Sequence, residues 1–141
     1  ISDERFKKNI TENVKGLDFI MKLRPVTYQM KVTDLSKKLH EFSNRQPDES
    51  MKKAMAEKEQ MWWTGFLAQD VEAAAKQTGF EFSGVDKPRN ADGLYGLRYA
   101  EFVVPLVKAM QEQQLMIEAL QKANEEQKRM IEKLISIVEK K

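Results

Sequence analysis

Val103-Val104-Pro105-Leu106-Val107-Lys108-Ala109-Met110 opens a stretch that runs to Lys141 with apolar residues spaced three and four positions apart. Written as heptads, its a positions are Val103, Met110, Ile117, Asn124, Ile131 and Val138, and its d positions are Leu106, Gln113, Leu120, Gln127 and Leu134. Eight of these eleven seam positions are apolar, and the repeat holds for five heptads. A helix lying on a globular core has a wider stripe that drifts with the 3.6-residue period, whereas a sustained seven-residue repeat keeps one seam turned toward a partner helix. The spacing therefore predicts a coiled coil, a rod of roughly 54 Å at about 1.5 Å per residue, too long to bury its seam alone. Pro105 is tolerated if the helix begins near residues 99–102, because first-turn N–H groups have no intrahelical partner. Asn124, Gln113 and Gln127 cost stability but fix register and strand number. The seam specifies an oligomer of two or three chains.

Upstream, residues 11–23 place Val14, Leu17, Phe19, Ile20 and Leu23 at helical spacing, with Thr11 as cap and Arg24-Pro25 as the stop. Residues 26–32 alternate and are rich in β-branched and aromatic side chains, which predicts a strand with Val26, Tyr28, Met30 and Val32 on one face. From residue 34 to 60 the chain turns polar; Pro47-Asp48-Glu49-Ser50 reads as a helix start, and the stretch as a peripheral arm. Residues 61–68 read as a second strand, and 69–78 as a helix closed by Gly79 and anchored by Phe80. Two short strands follow near 80–85 and 94–98, around a turn-rich 86–93. The expected fold is α+β: residues 1–98 as a core with a small antiparallel sheet and helices, and residues 99–141 as a long C-terminal coiled-coil helix.

Composition removes several functions. The 141 residues are 41% apolar and 33% charged, enough for one modest core under a solvated surface. Net charge is +2, from 24 basic and 22 acidic side chains mixed along the chain, which argues against electrostatic binding to nucleic acid or membrane. Without cysteine there is no disulfide, thiolate nucleophile or Cys-based zinc site, and the one histidine, His40, has no second histidine to complete a metal cage. No cofactor or metal is expected. No apolar run approaches the ~20 residues of a membrane span, and no secretory signal is visible. Of the neighbouring indoles Trp62 and Trp63, one is expected in the core and the other on the opposite strand face, packed on the arm or a sister chain, ahead of a sugar-stacking role. The carboxylates Asp70, Glu72 and Glu101 are better read as solvated helix charge than as a glycosidase pair. The eight methionines are spread along the chain as core filler.

The amino end carries the chemistry. Ser2 and Lys7 stand five positions apart, and a Ser-Lys pair can cut an acyl bond without histidine or metal when the amine is neutral and takes the hydroxyl proton. An ordinary lysine amine, with a pKa of about 10.4, is protonated at neutral pH. Activity therefore needs burial or a neighbouring positive charge, which Arg5 or Lys8 would supply. The peptide bond preceding Ser2 is Ile1–Ser2, and a chain opening one residue upstream of such a nucleophile is expected to be a fragment cut, or meant to be cut, there. Taken alone, Ser2-Asp3 also fits a helix cap, and Lys7 a surface lysine.

Ser2-Asp3-Glu4-Arg5-Phe6-Lys7-Lys8-Asn9-Ile10, with the block from Gly16 through Arg24-Pro25-Val26-Thr27-Tyr28, resembles the intramolecular chaperone and auto-processing domain of phage tailspikes and tail fibres, of the endosialidase type. Thr64-Gly65-Phe66-Leu67-Ala68-Gln69-Asp70-Val71-Glu72 and the stretch from Tyr99 to Gln114 agree with that pattern and lie in the family's order. The polar stretch 34–60 does not fit it. The resemblance implies a homotrimer that assembles the upstream fibre or tailspike part of the same polypeptide and then releases itself. It implies Ser2 as nucleophile, Lys7 as general base, Ile1–Ser2 as the scissile bond, and Asp3, Arg5 and Asn9 as orienting residues. The setting it implies is a phage virion tail, the bacterial host cytoplasm during assembly, or a cell-surface appendage. A trimerisation module with an inert pair is the alternative.

Overall fold

The computed structural model describes residues 2–41 and 45–141. The chain divides into two compact units, one joining the residues up to Met21 with Tyr99–Lys141, the other comprising Lys22–Arg98.

In the first unit a 3-10 turn at Tyr99–Phe102 leads into helix α5 (Val103–Glu139), 37 residues and about 55 Å at ~1.5 Å per residue. Pro105 falls in the first turn, where its missing N–H costs nothing. Helix α1 is a single turn (Leu17–Ile20) packed against the start of α5. The stripe in residues 11–23 predicted a longer helix, and Gly16 explains the difference. A Cβ on Gly16 would lie 2.8 Å from the Ala109 backbone nitrogen and 2.6 Å from Glu112 Oε2, so the chain presses its backbone onto α5 there instead of winding a turn around it. Glu112 Oε2 then accepts from the Leu17 N–H at 2.8 Å, capping α1 from another helix in place of the local cap expected of Thr11. Phe19, fully buried, is the anchor of this contact, and Phe102, Pro105 and Ala109 are buried with it. Pro105, Ala109 and Glu112 occupy heptad positions c, g and c. The contact with α1 therefore leaves the a and d positions free, and the apolar seam residues Val103, Leu106, Met110, Ile117, Leu120, Ile131, Leu134 and Val138 are all exposed. Every residue from Gln113 onward, including the polar seam members Asn124 and Gln127, is exposed in the single chain.

In the second unit, β1 (Val26–Gln29) pairs antiparallel with β2 (Trp62–Gly65), Tyr28 opposite Trp63 and Gln29 opposite Trp62. The strand predicted over 26–32 ends early because Val32 begins helix α2 (Val32–Lys38). Composition hid this helix: Val32, Thr33, Asp34 and Ser36 are poor helix formers, and α2 is held by packing on α3 (Glu49–Glu59) and by Glu59, which accepts from the Thr33 N–H at 2.8 Å. The arm's second helix starts as read, with Asp48 capping Met51 N–H at 2.8 Å.

Helix α4 (Ala68–Gln77) buries Val71, Ala74 and Ala75 and ends in Gly79 at φ +62°, where Phe80 N–H reaches Ala75 O and Gly79 N–H reaches Lys76 O. That reciprocal pair is a Schellman motif, which a left-handed glycine permits. A second ladder joins β3 (Val85–Asp86) to β4 (Gly96–Leu97). Among the described residues the β structure is thus two separate two-stranded antiparallel ladders, which with the helices make an α+β chain. Neither tryptophan is core: Trp62 is 69% and Trp63 50% exposed, because a two-stranded ribbon has few neighbours to close over either face.

Candidate active site

A 3-10 turn at Glu4–Phe6 shapes the amino-terminal segment. Asp3 starts it: its carboxylate accepts from the Arg5 N–H at 3.0 Å, a side-chain cap of the kind that satisfies a first-turn donor. The Arg5 guanidinium then closes on the same carboxylate, at 3.1 Å from Nε and 2.6 Å from Nη2. This pairing holds the Asp3 carboxyl below its usual range and raises Arg5, and it stacks the guanidinium 5.8 Å from the Phe6 ring centre. Lys7 N–H donates to Glu4 O at 2.9 Å and ends the turn. Lys7 itself is extended (φ −109°, ψ 144°), and its side chain runs back along the segment to donate from Nζ to Ser2 Oγ at 3.0 Å. Asn9, at φ +54°, turns the chain away beyond the pair.

Of the five residues singled out in the sequence, Ser2 and Lys7 are thus in direct contact, Asp3 and Arg5 form the turn between them, and Asn9 lies outside the contact. Arg5 spends its charge on Asp3, so its position suits it to holding the turn more than to polarising the lysine. Ser2 and Lys7 are both exposed in the single chain. Ile1, and with it the Ile1–Ser2 bond, lies outside the described residues.

Two of the acidic residues weighed as a glycosidase pair, Asp70 and Glu72, are engaged in structural ion pairs. Asp70 accepts from Arg24 Nη2 at 2.5 Å. Glu72 binds Lys76 at 2.7 Å, Lys87 at 2.6 Å and the Tyr95 hydroxyl at 2.9 Å, and the two ammonium groups and the phenol hold its carboxyl down at about 2. Glu72 thereby ties α4 to the loop joining β3 and β4. A carboxyl whose folded pKa lies below its unfolded one stabilises the fold above the unfolded pKa and loses that contribution as pH falls toward the folded value. The second unit is therefore expected to weaken between about pH 4.5 and about pH 2, and Glu72→Gln to lower the melting temperature at neutral pH while flattening that acid limb. Melting curves followed by circular dichroism across that range check both. Among the described residues no group of three or more ligating side chains is placed to hold a metal, and no helix is long and apolar enough to cross a membrane.

A family model that bears a peptidase name and is described as chaperone of endosialidase matches residues 2–80, more than half of the chain. The chain belongs to this family. No curated protein and no solved structure matches it. The endosialidase-chaperone match begins at Ser2 and contains Lys7, the turn between them, the arm and the β1–β2 ladder, while α5 lies beyond it. The arm over residues 34–60, foreign to the motifs read from the sequence, thus falls inside the family's span. What sequence reading missed in this chaperone is Glu112, which organises α1 from 95 residues away; the only trace it leaves in the sequence is Gly16, a glycine interrupting an otherwise helical pattern.

Proposed function

We propose that this member of the endosialidase-chaperone family is a C-terminal intramolecular chaperone. It drives homotrimeric assembly of an upstream tailspike or fibre polypeptide and then releases itself by Ser-Lys self-cleavage at Ile1–Ser2. The observation that carries the reading is the 3.0 Å contact between Lys7 Nζ and Ser2 Oγ, in a segment whose turn is built by Asp3 and Arg5. A contact of that length lets a neutral amine take the hydroxyl proton. Ser2 Oγ then bonds to the Ile1 carbonyl carbon and the carbon–nitrogen bond to Ser2 breaks. The new amine takes the proton from Lys7, leaving an ester on Ser2. Water splits the ester into the upstream carboxylate and a chain that begins with free Ser2. Turnover is once per chain.

The exposure of Lys7 in the single chain supports a coupling to assembly, since a neighbouring copy packed over the segment would take the side chain out of water. The free a/d seam of α5 supports the trimer, since its apolar a and d residues all stand exposed among the described residues. Cleavage after assembly makes the product hard to refold, because its template is gone. The setting that fits is a phage tail or the host cytoplasm in which it is built.

The test is the chain extended by its natural upstream polypeptide, unaltered and as Ser2→Ala, with fragments identified by intact mass. A fragment beginning at Ser2 that disappears in Ser2→Ala is the expected result. Full-length, trimeric protein in both samples would leave a non-cleaving assembly module.

A further inference from the structure

Four of the eight methionines line one cavity of the second unit. The cavity is open, about 620 Å³, and lies where α2, α3 and the end of the β1–β2 ladder meet. Met51 and Met55 stand one turn apart on α3 and are half-buried; helix geometry sets their Cβ atoms about 5–6 Å apart. Met30 and Met61 lie one position beyond the Gln29–Trp62 pair of the antiparallel register, and Gln29 Nε2, donating to Gln60 O at 3.1 Å, holds the two chain segments together there. These two are 38% and 51% exposed, which opens the site to an ion from solution. A methionine that serves as core filler closes a gap, whereas these four surround one.

Carboxylate and imidazole donors form no group of three among the described residues, but thioether sulfurs do. A thioether is a soft, uncharged donor. It suits Cu(I), whereas Mg²⁺ and Ca²⁺ take oxygen ligands and Zn²⁺ takes thiolate, imidazole or carboxylate. Glu41 and Lys58 are the charged residues lining the cavity, and Glu41 Oε2 accepts from Ser36 Oγ at 2.6 Å. Their charges offset one another, so donor softness sets the preference. Three rotatable bonds in each side chain let the sulfurs swing onto a shared ion.

We propose that Met30, Met51, Met55 and Met61 form a site for a soft monovalent metal ion, Cu(I), for which Ag(I) is the redox-inert stand-in. The bound ion ties α3 to the end of the ribbon. Nothing in it depends on Ser2 or Lys7. Methionine has no proton to lose, so binding releases none, unlike binding at thiolate, imidazole or carboxylate ligands.

Ag(I), titrated into the 141-residue chain in chloride-free buffer, is expected to bind one ion per chain and raise the melting temperature by mass action. Trp63 lines the same cavity, so indole fluorescence follows the titration. Met51→Leu with Met55→Leu, and separately Met30→Leu with Met61→Leu, keep the volume and remove only the sulfurs. Each pair is expected to weaken binding at least as much as loss of an outer-shell partner does, about 10- to 100-fold. Met116→Leu with Met130→Leu, exposed on α5, is expected to leave binding unchanged. The affinity is expected to stay level from about pH 5.5 to 8.

Equal affinity in all three variants means an adventitious ion only, and overturns the site. So does the absence of binding by the unaltered chain. Affinity that falls as an imidazole protonates assigns the ion to His40, which lines a neighbouring cavity with Met55, and overturns the all-thioether set. X-ray absorption on the unaltered chain loaded with Ag(I) decides the matter without any variant: a shell of sulfur is expected, and a shell of nitrogen or oxygen overturns the proposal.

Discussion

Lys7→Arg is expected to slow self-cleavage about 10²–10⁴-fold. Arginine keeps the positive charge, the reach and the hydrogen-bond donors, so it can still hold the segment through a contact like that of Lys7 Nζ with Ser2 Oγ. What it cannot do is lose its proton, since a guanidinium stays charged at every pH a protein survives. A positioned base contributes about 10²–10⁴-fold to such a reaction, and the whole of that factor disappears with the neutral amine. Timed samples of the extended chain, analysed by intact mass, measure it directly. If Lys7→Arg cuts at the rate of the unaltered chain, Lys7 only orders the turn and another group takes the Ser2 proton. The comparison separates chemistry from architecture in a way alanine does not, because Lys7→Ala removes both.

Phe19→Ala is expected to have the largest effect on stability, about 3–5 kcal/mol, as for other fully buried phenylalanines replaced by alanine. Phe19 is 0% exposed, and α1 is a four-residue helix with no stability of its own. Without the ring, the turn loses the packing that holds it on α5, and the Glu112 carboxylate loses the donor it is aimed at. Gly16→Ala attacks the same contact from the other side. Its methyl group would sit 2.8 Å from the Ala109 backbone nitrogen, which cannot swing aside as a flexible side chain can, and the overpacking costs about 1–3 kcal/mol. Denaturant unfolding at fixed protein concentration reads both, since assembly would make the midpoint concentration-dependent. Hydrogen exchange at the Ile20 and Met21 amides, bonded to Gly16 O and Leu17 O, localises the loss. Exchange there at the rate of the unaltered chain would show that α1 does not depend on Phe19.

How far the fold was legible depends on where the information for each element lies. Helix α4 was readable to within a residue, because its ending is local: Gly79 in the left-handed region and Phe80 behind it form the Schellman motif from neighbours in sequence. Helix α3 was readable for the same reason, through Asp48 at its cap. Helix α1 was overextended, because the residue that cuts it short, Gly16, is decided by the approach of α5 and the remote cap of Glu112. Helix α2 was invisible because it exists by packing on α3 and by the Glu59 cap, against its own propensities. The tryptophans were misassigned since strand alternation says which faces two neighbours take, but says nothing about whether a second layer covers either face.

The Ser2–Lys7 pair shows the same division. Residue types and spacing nominated it, and the family match independently covers it. The turn that joins the two, made of the Asp3 cap and the Arg5 fork, was not deducible, because neither contact leaves a periodic trace in the sequence.

By itself, the sequence determined the long helix and its seven-residue repeat, the α+β character and the Schellman stop of α4. All of these rest on interactions between residues a few positions apart, where spacing alone is the physics. The tertiary structure alone decided that α1 is one turn, that it takes the c and g face of α5 and leaves the a/d edge free, and that Lys7 reaches Ser2 on an exposed segment. Those outcomes depend on which surfaces meet across long stretches of chain, and packing of that kind is set by shape and desolvation rather than by any pattern along the sequence.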